Sequence, residues 1–172
     1  MAWLLVFLFG CSPATVTIDR EYKSNLYTDE NRPIIDSCDF FVYSLEDDRR
    51  DKGSLGEVAY TEVFSEDVLQ WVQAGFESFD IDVQTYDGQY AQAIPIKVHL
   101  KLAHINSLLS AKAANVVLGV SLNDDANIEY FRGSHSSINW SSSASEIKGA
   151  FDISLGEAIT GLLEYMKFRC AS

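Results

Sequence analysis

The sequence predicts an α+β fold of two layers, with two helices packed on one face of a mostly antiparallel, four- to five-stranded sheet. Three observations carry that expectation. Residues 94–102 and 114–122 place apolar side chains on every even position, the period of half-buried strands. Two other stretches, 55–75 and 154–169, repeat their apolar residues at steps of three and four, the period of a helix face. A hydrophobic content of 47% with only three prolines suits one packed domain of 172 residues rather than a disordered chain.

In chain order, Thr15-Val16-Thr17-Ile18 is a short alternating piece in an otherwise polar leader to Pro33. Cys38 to Leu45 is aromatic and β-branched without helical spacing, and so reads as a strand. A charged loop, Glu46 to Asp51, leads to Gly53 and Gly56. From Leu55 the period changes. Tyr60, Val63, Phe64, Val68, Trp71 and Val72 fall on one helical face, and Gly75 stands where a C-cap is expected, followed by Phe76. Phe79-Asp80-Ile81-Asp82-Val83 alternates as a short strand.

The even positions Ile94, Ile96, Val98, Leu100 and Leu102, with Lys97, His99 and Lys101 between them, predict the next strand. Ala114 to Leu122 repeats the pattern, Asn123 to Asn127 is a turn cluster, and Ile128 to Trp140 returns as the third strand of a meander. Ser154 with Glu157 has the form of a capping box. The stripe Leu155, Ala158, Ile159, Leu162, Leu163 and Met166 then makes a final helix, with Lys167 and Arg169 at its negative end.

A net charge of −12 repels phosphate backbones and anionic headgroups, which argues against nucleic acid as a partner. No glycine-rich phosphate loop, GxSxG elbow or zinc-spaced Cys/His set is present. His99 and His104 fall on opposite parities of a regular strand, and His135 lies in a serine-rich stretch, so no catalytic histidine pair is expected. Asp125 to Glu129 has the alternating oxygens of a calcium loop but lacks its glycine and closing glutamate, which favours a hairpin turn. Trp71 reads as core, and Trp140, at a strand end, as more open. These residues lead us to expect no enzyme, no cofactor and no metal.

The N-terminus carries the most specific signal. Trp3 to Phe9 is apolar without a break, long enough for a signal-peptide core and too short to span a bilayer. Leu8-Phe9-Gly10-Cys11 resembles the bacterial lipobox, in which a small residue precedes a cysteine that becomes lipidated; the alternative is an apolar first strand. The resemblance implies a signal peptide over residues 1–10, a lipidated N-terminus and tether over 11–33, and one α+β domain over 34–172. Ser12, after the cysteine, resembles the outer-membrane class. In an exported chain Cys38 and Cys170 have two fates: one disulfide closing a long loop, or two separate thiols.

The order of elements resembles the YajG-like group of small bacterial lipoproteins, whose fold is related to auxiliary lipoproteins of ABC transport systems. The resemblance runs from about Asp36 to Met166. It rests on Phe41-Val42-Tyr43-Ser44-Leu45-Glu46-Asp47-Asp48-Arg49 leading into Leu55-Gly56, on Gly75-Phe76, on the strands from Ile94 and Ala113, and on Tyr130-Phe131-Arg132-Gly133 before the last helix. It implies a non-enzymatic, periplasm-facing outer-membrane lipoprotein that binds or scaffolds another envelope component. The alternative is an auxiliary lipoprotein of an ABC-type lipid or solute transporter, which predicts an apolar groove between helices and sheet.

Overall fold

The computed structural model describes residues 14–23, 39–84, 93–108, 111–123, 125–137 and 143–170. Their elements are β1 (Ala14–Ile18), β2 (Phe40–Asp47), β3 (Gly56–Val58), β4 (Thr61–Ser65), α1 (Val68–Ser78), β5 (Ile94–Leu108), β6 (Ala111–Leu122), β7 (Glu129–Ser137) and α2 (Ala144–Cys170).

The expected four to five mostly antiparallel strands are overturned. Seven strands form one mixed sheet in the order β1-β4-β3-β5-β6-β7, with β2 beside β5. β1 runs parallel to β4, and both β2 and β3 run parallel to β5. The pairs β3–β4, β5–β6 and β6–β7 are antiparallel. β1 belongs to the stretch expected as a tether, yet Val16 and Ile18 are buried core residues.

The second source of the difference is residues 55–65, which are strands and not the start of a helix. Val58 and Val63 point into the core, while Tyr60 is 88% exposed at the tip of the β3–β4 hairpin. Ala59 turns that hairpin at φ +57°, without the glycine or asparagine that normally signals such a turn. The helix starts only at Val68, where the Asp67 side chain accepts from Gln70 N. Gly75 is interior to α1 rather than its cap. A Cβ there would lie 2.6 Å from Leu155 Cδ2, so the missing side chain lets α2 pack closely. The expected strand over 79–83 shrinks to one bridge, Val42 to Val83.

β5 alternates as expected only to Leu100. Its register against β6 then shifts, with Leu100 opposite Leu118 and Leu102 opposite Val117, so that Lys101 is the extra residue of a bulge. Beyond it the parity is reversed: Leu102 is 39% exposed, while Ala103 and Ile105 are buried.

α2 begins ten residues before the expected box. Ser143 Oγ accepts from Glu146 N at 3.3 Å, so the N-terminal cap sits there. Ser154 is a fully buried residue inside the helix. Its hydroxyl accepts from His135 N and reaches Ala114 O, both at 3.0 Å, and these are the two residues of one β6–β7 register pair. Gly133 makes the approach possible, since a Cβ there would meet Ser154 O. Both helices share one core with the inward residues of the sheet, including Trp71 edge-on to Phe151 with ring centroids 6.1 Å apart.

Candidate functional site

The charged turn after β2 is where the sheet is interrupted. β2 pairs with β5 as far as Asp47 and Leu100, and β3 rejoins β5 at Gly56 and Ile105. Between these points the chain leaves the sheet, and residues 101–104 of β5 have no strand partner on that edge among the described residues. The β5 bulge lies in this same gap, so backbone irregularity on both sides opens the surface there.

Two charged groups meet at the gap. On the outer face of β2 and β5, Glu46 lies opposite His99 in register. His99 Nδ1 is 3.0 Å from Asp48 Oδ2 and 3.5 Å from Glu46 Oε2, and its side chain is only 12% exposed. His99 is thus a half-buried member of a charged cluster and not a lone strand histidine. Lys97 and Lys101 complete the group, bonded to Glu46 at 2.6 Å and Asp48 at 2.7 Å. The Lys97 hydrogen bond holds the Glu46 carboxyl below its ordinary range, and the Lys101 hydrogen bond does the same for Asp48. Glu46, Asp48 and His99 bring ligand atoms within 4.8 Å of one another, a spacing that fits one metal ion. A cation there would have to displace two ammonium groups that already neutralise the carboxylates, so we read the cluster as an ion-pair network.

The second group is Arg49 and its surroundings. Arg49 Nε and Nη2 each donate to a carboxylate oxygen of Asp47 at 2.9 Å, a two-pronged pair. Burial pushes the Asp47 carboxyl up, and the hydrogen bonds and charge of Arg49 more than offset this, so it titrates below its ordinary range. Only 5% of the Arg49 side chain is exposed, and its Nη1 is buried without a hydrogen-bond partner.

Arg49 lies on the wall of a cavity of about 460 Å³ that fills the gap, together with Arg50, Lys52, Lys101, Leu102 and His104. Ser54 and His104 also line a neighbouring cavity of about 560 Å³, where the opposed strand residues Glu57 and Glu62 supply negative charge. The parity reversal at the bulge explains His104. After an odd insertion its even position faces outward, on the same side as His99, contrary to the opposite parities expected of a regular strand.

Of the residues singled out from the sequence, Trp71 is fully buried core. Asp125 accepts from Asn127 N at 3.1 Å in the β6–β7 turn. Cys170, half-buried at the end of α2, is disulfide-bonded. Cys11, Cys38 and Trp140 lie outside the described residues. Sequence reasoning reads Glu46 to Asp51 as a charged loop and misses Arg49 as a buried residue. The available signal was its position two residues after Asp47, a spacing that suits a short-range pair.

No family model matches the chain, so the resemblance to YajG-like lipoproteins is not carried by a family match. No curated protein matches it either. Solved structures with a similar course include an uncharacterized protein, with a TM-score of 0.49 and 9% identity over 77% of this chain and 95% of that one. Another is a "putative lipoprotein" from Caulobacter crescentus CB15, with a TM-score of 0.41 and 7% identity over 75% of this chain and 91% of that one. A third is Lipoprotein GNA1162 from Neisseria meningitidis, with a TM-score of 0.32 and 11% identity over 75% of this chain and 97% of that one. At such identities none of them assigns a function to this chain.

Proposed function

We propose that this protein is a bacterial envelope lipoprotein, held on the periplasmic face of the outer membrane by lipid on Cys11, whose domain binds or scaffolds another envelope component without catalysis. The observation that carries this reading is the apolar run Trp3 to Phe9 closed by Gly10-Cys11. More than one acyl chain on a single residue gives stable anchoring where one gives only marginal binding. The disulfide at Cys170 suits an oxidising compartment. With Cys11 acylated, Cys38 is the remaining cysteine of the chain and hence the partner we assign to Cys170. Ser12 supports the outer over the inner membrane.

The transporter-auxiliary reading predicted an apolar groove between helices and sheet. The tight contacts of Gly75 with Leu155 and of Gly133 with α2 count against it.

The test is fractionation of cells making the full chain or its Cys11→Ser variant. The wild type should sediment with outer membranes after processing, and the variant should stay unprocessed and unlipidated. Identical size and fractionation of the two would end the anchoring claim. Alkylation without reductant should leave Cys38 and Cys170 unlabelled; labelling of both would remove their pairing.

A further inference from the structure

We propose that the cavity between the β2–β3 turn and the unpaired edge of β5 is a binding site for a small soluble phosphate-type anion. Four of the chain's 13 lysines and arginines, Arg49, Arg50, Lys52 and Lys101, stand on its wall, against one carboxylate, Asp51. In a protein of net charge −12 this is a local reversal of sign.

Two of these cations are already matched, Arg49 by Asp47 and Lys101 by Asp48. Arg50 and Lys52 are exposed and have no ion-pair partner among the described residues. Asp51 is turned to its own loop, where its carboxylate accepts from Gly53 N at 2.9 Å. The Arg50 and Lys52 side chains both stand on the cavity wall, and Lys52 also feels the Asp47 charge.

The second, independent observation is Arg49. It is a buried guanidinium fixed by a two-pronged bond to Asp47, with Nη1 left over and bonded to nothing. A buried donor without an acceptor is costly, roughly 1–3 kcal/mol, and rare in native proteins. An oxyanion on this wall would be met by the forked guanidinium of Arg50 and the ammonium of Lys52, with Arg49 behind them, since guanidinium forks match phosphate oxygens. Leu102, turned outward by the bulge, adds an apolar wall, which suits a phosphate ester better than the bare ion. A volume of about 460 Å³ lies within the range of small-molecule sites.

The same headgroup chemistry could come from a phospholipid or from a soluble ester. The domain's overall negative charge repels an anionic bilayer, which selects the soluble source. The inference does not depend on Cys11 being lipidated.

The test is titration of the full-length Cys11→Ser chain at low salt with inorganic phosphate and with glycerol 3-phosphate, followed by amide NMR shifts. A parallel arm uses phosphatidylglycerol vesicles, with phosphatidylcholine vesicles as control. Saturable shifts at residues 49–54 and 101–104 are expected with the soluble probes, glycerol 3-phosphate being the tighter. Arg50→Ala with Lys52→Ala should weaken binding about tenfold or more and lower its salt dependence. Both residues are exposed, so an unchanged melting temperature confirms that the double variant is folded. Absence of saturable binding in both soluble titrations, or binding untouched by the double variant, overturns the proposal. Binding to phosphatidylglycerol vesicles alone overturns the soluble source.

Discussion

Trp71 Nε1 donates to Asp152 Oδ1 at 2.8 Å, joining the two helices across 81 residues of sequence. The other oxygen, Oδ2, accepts from Lys148 Nζ at 3.0 Å and from Lys23 N at 3.2 Å. One buried carboxylate thus ties α1, α2 and the segment after β1 into a single knot. Trp71→Phe keeps most of the ring packing but removes the donor. It should destabilise the fold by about 1–3 kcal/mol in chemical denaturation, the effect of a lost bond to a buried charge. A change within error would mean that this bond contributes nothing.

Burial raises the Asp152 pKa above its ordinary value, and Trp71 and Lys148 only partly oppose it. The folded state then holds this proton more tightly than the unfolded chain. Its contribution is full below the unfolded pKa and is lost as pH rises through the folded one. Asp152→Asn should lower stability at every pH, because Lys148 and Lys23 N face an amide. Its stability should also fall less between acid and neutral pH than that of the wild type. A parallel pair of urea-midpoint curves against pH would contradict this.

Asp47 has the opposite sign. Arg49 holds its folded pKa down, so its contribution is present above the unfolded pKa and is lost as pH falls through the folded value. Asp47→Asn strands a buried guanidinium and should cost about 3–5 kcal/mol. Arg49→Met added to that variant should recover much of the loss, since an apolar replacement of a buried pair is often near neutral. Failure of the second change to rescue would show that the cost lies elsewhere.

The bulge at Lys101 separates two leucines that look equivalent in the sequence. Leu100 is fully buried and Leu102 is 39% exposed. Leu100→Ala should cost about 2–5 kcal/mol, and Leu102→Ser less than about 1 kcal/mol. Equal costs would place Leu102 back on the inner face.

Gly133→Ala tests the contact of sheet and helix. The added Cβ would overlap the Ser154 carbonyl oxygen and lie 2.8 Å from Ala158 N, both backbone atoms that cannot swing away. A loss of about 3 kcal/mol or more, above the usual range for overpacking, is expected in thermal denaturation.

How much of this was legible depends on the range of each interaction. The β5–β6–β7 meander and the apolar face of α1 follow from local periodicity, and both were readable. The β3–β4 hairpin was not. Val63, Phe64 and Val68 happen to fall at helical steps, and the turn at Ala59-Tyr60 carries no glycine, proline or asparagine. The start of α2 was hidden because its true cap, Ser143 with Glu146, is the last of three adjacent serines, while Ser154-Glu157 imitates the same spacing. Ser154 and Glu157 serve β7 instead, accepting from His135 N and Ser134 N. The parallel pairing of β2 and β3 with β5 left no local trace, and the candidate site is a product of that pairing. Its charges were visible as a turn; their convergence on the unpaired edge of β5 was not.

The early position of β1 sets the length of the leash. Two residues, Ser12 and Pro13, separate the proposed attachment point, Cys11, from Ala14, the first residue of a strand locked into the sheet, a span of three backbone steps. An extended chain of three residues reaches only about 10 Å. A domain anchored through Cys11, as proposed, would have a far shorter reach than one on a long flexible stalk. On the proposed anchoring, any partner of the domain would meet it within roughly the domain's own width of the membrane.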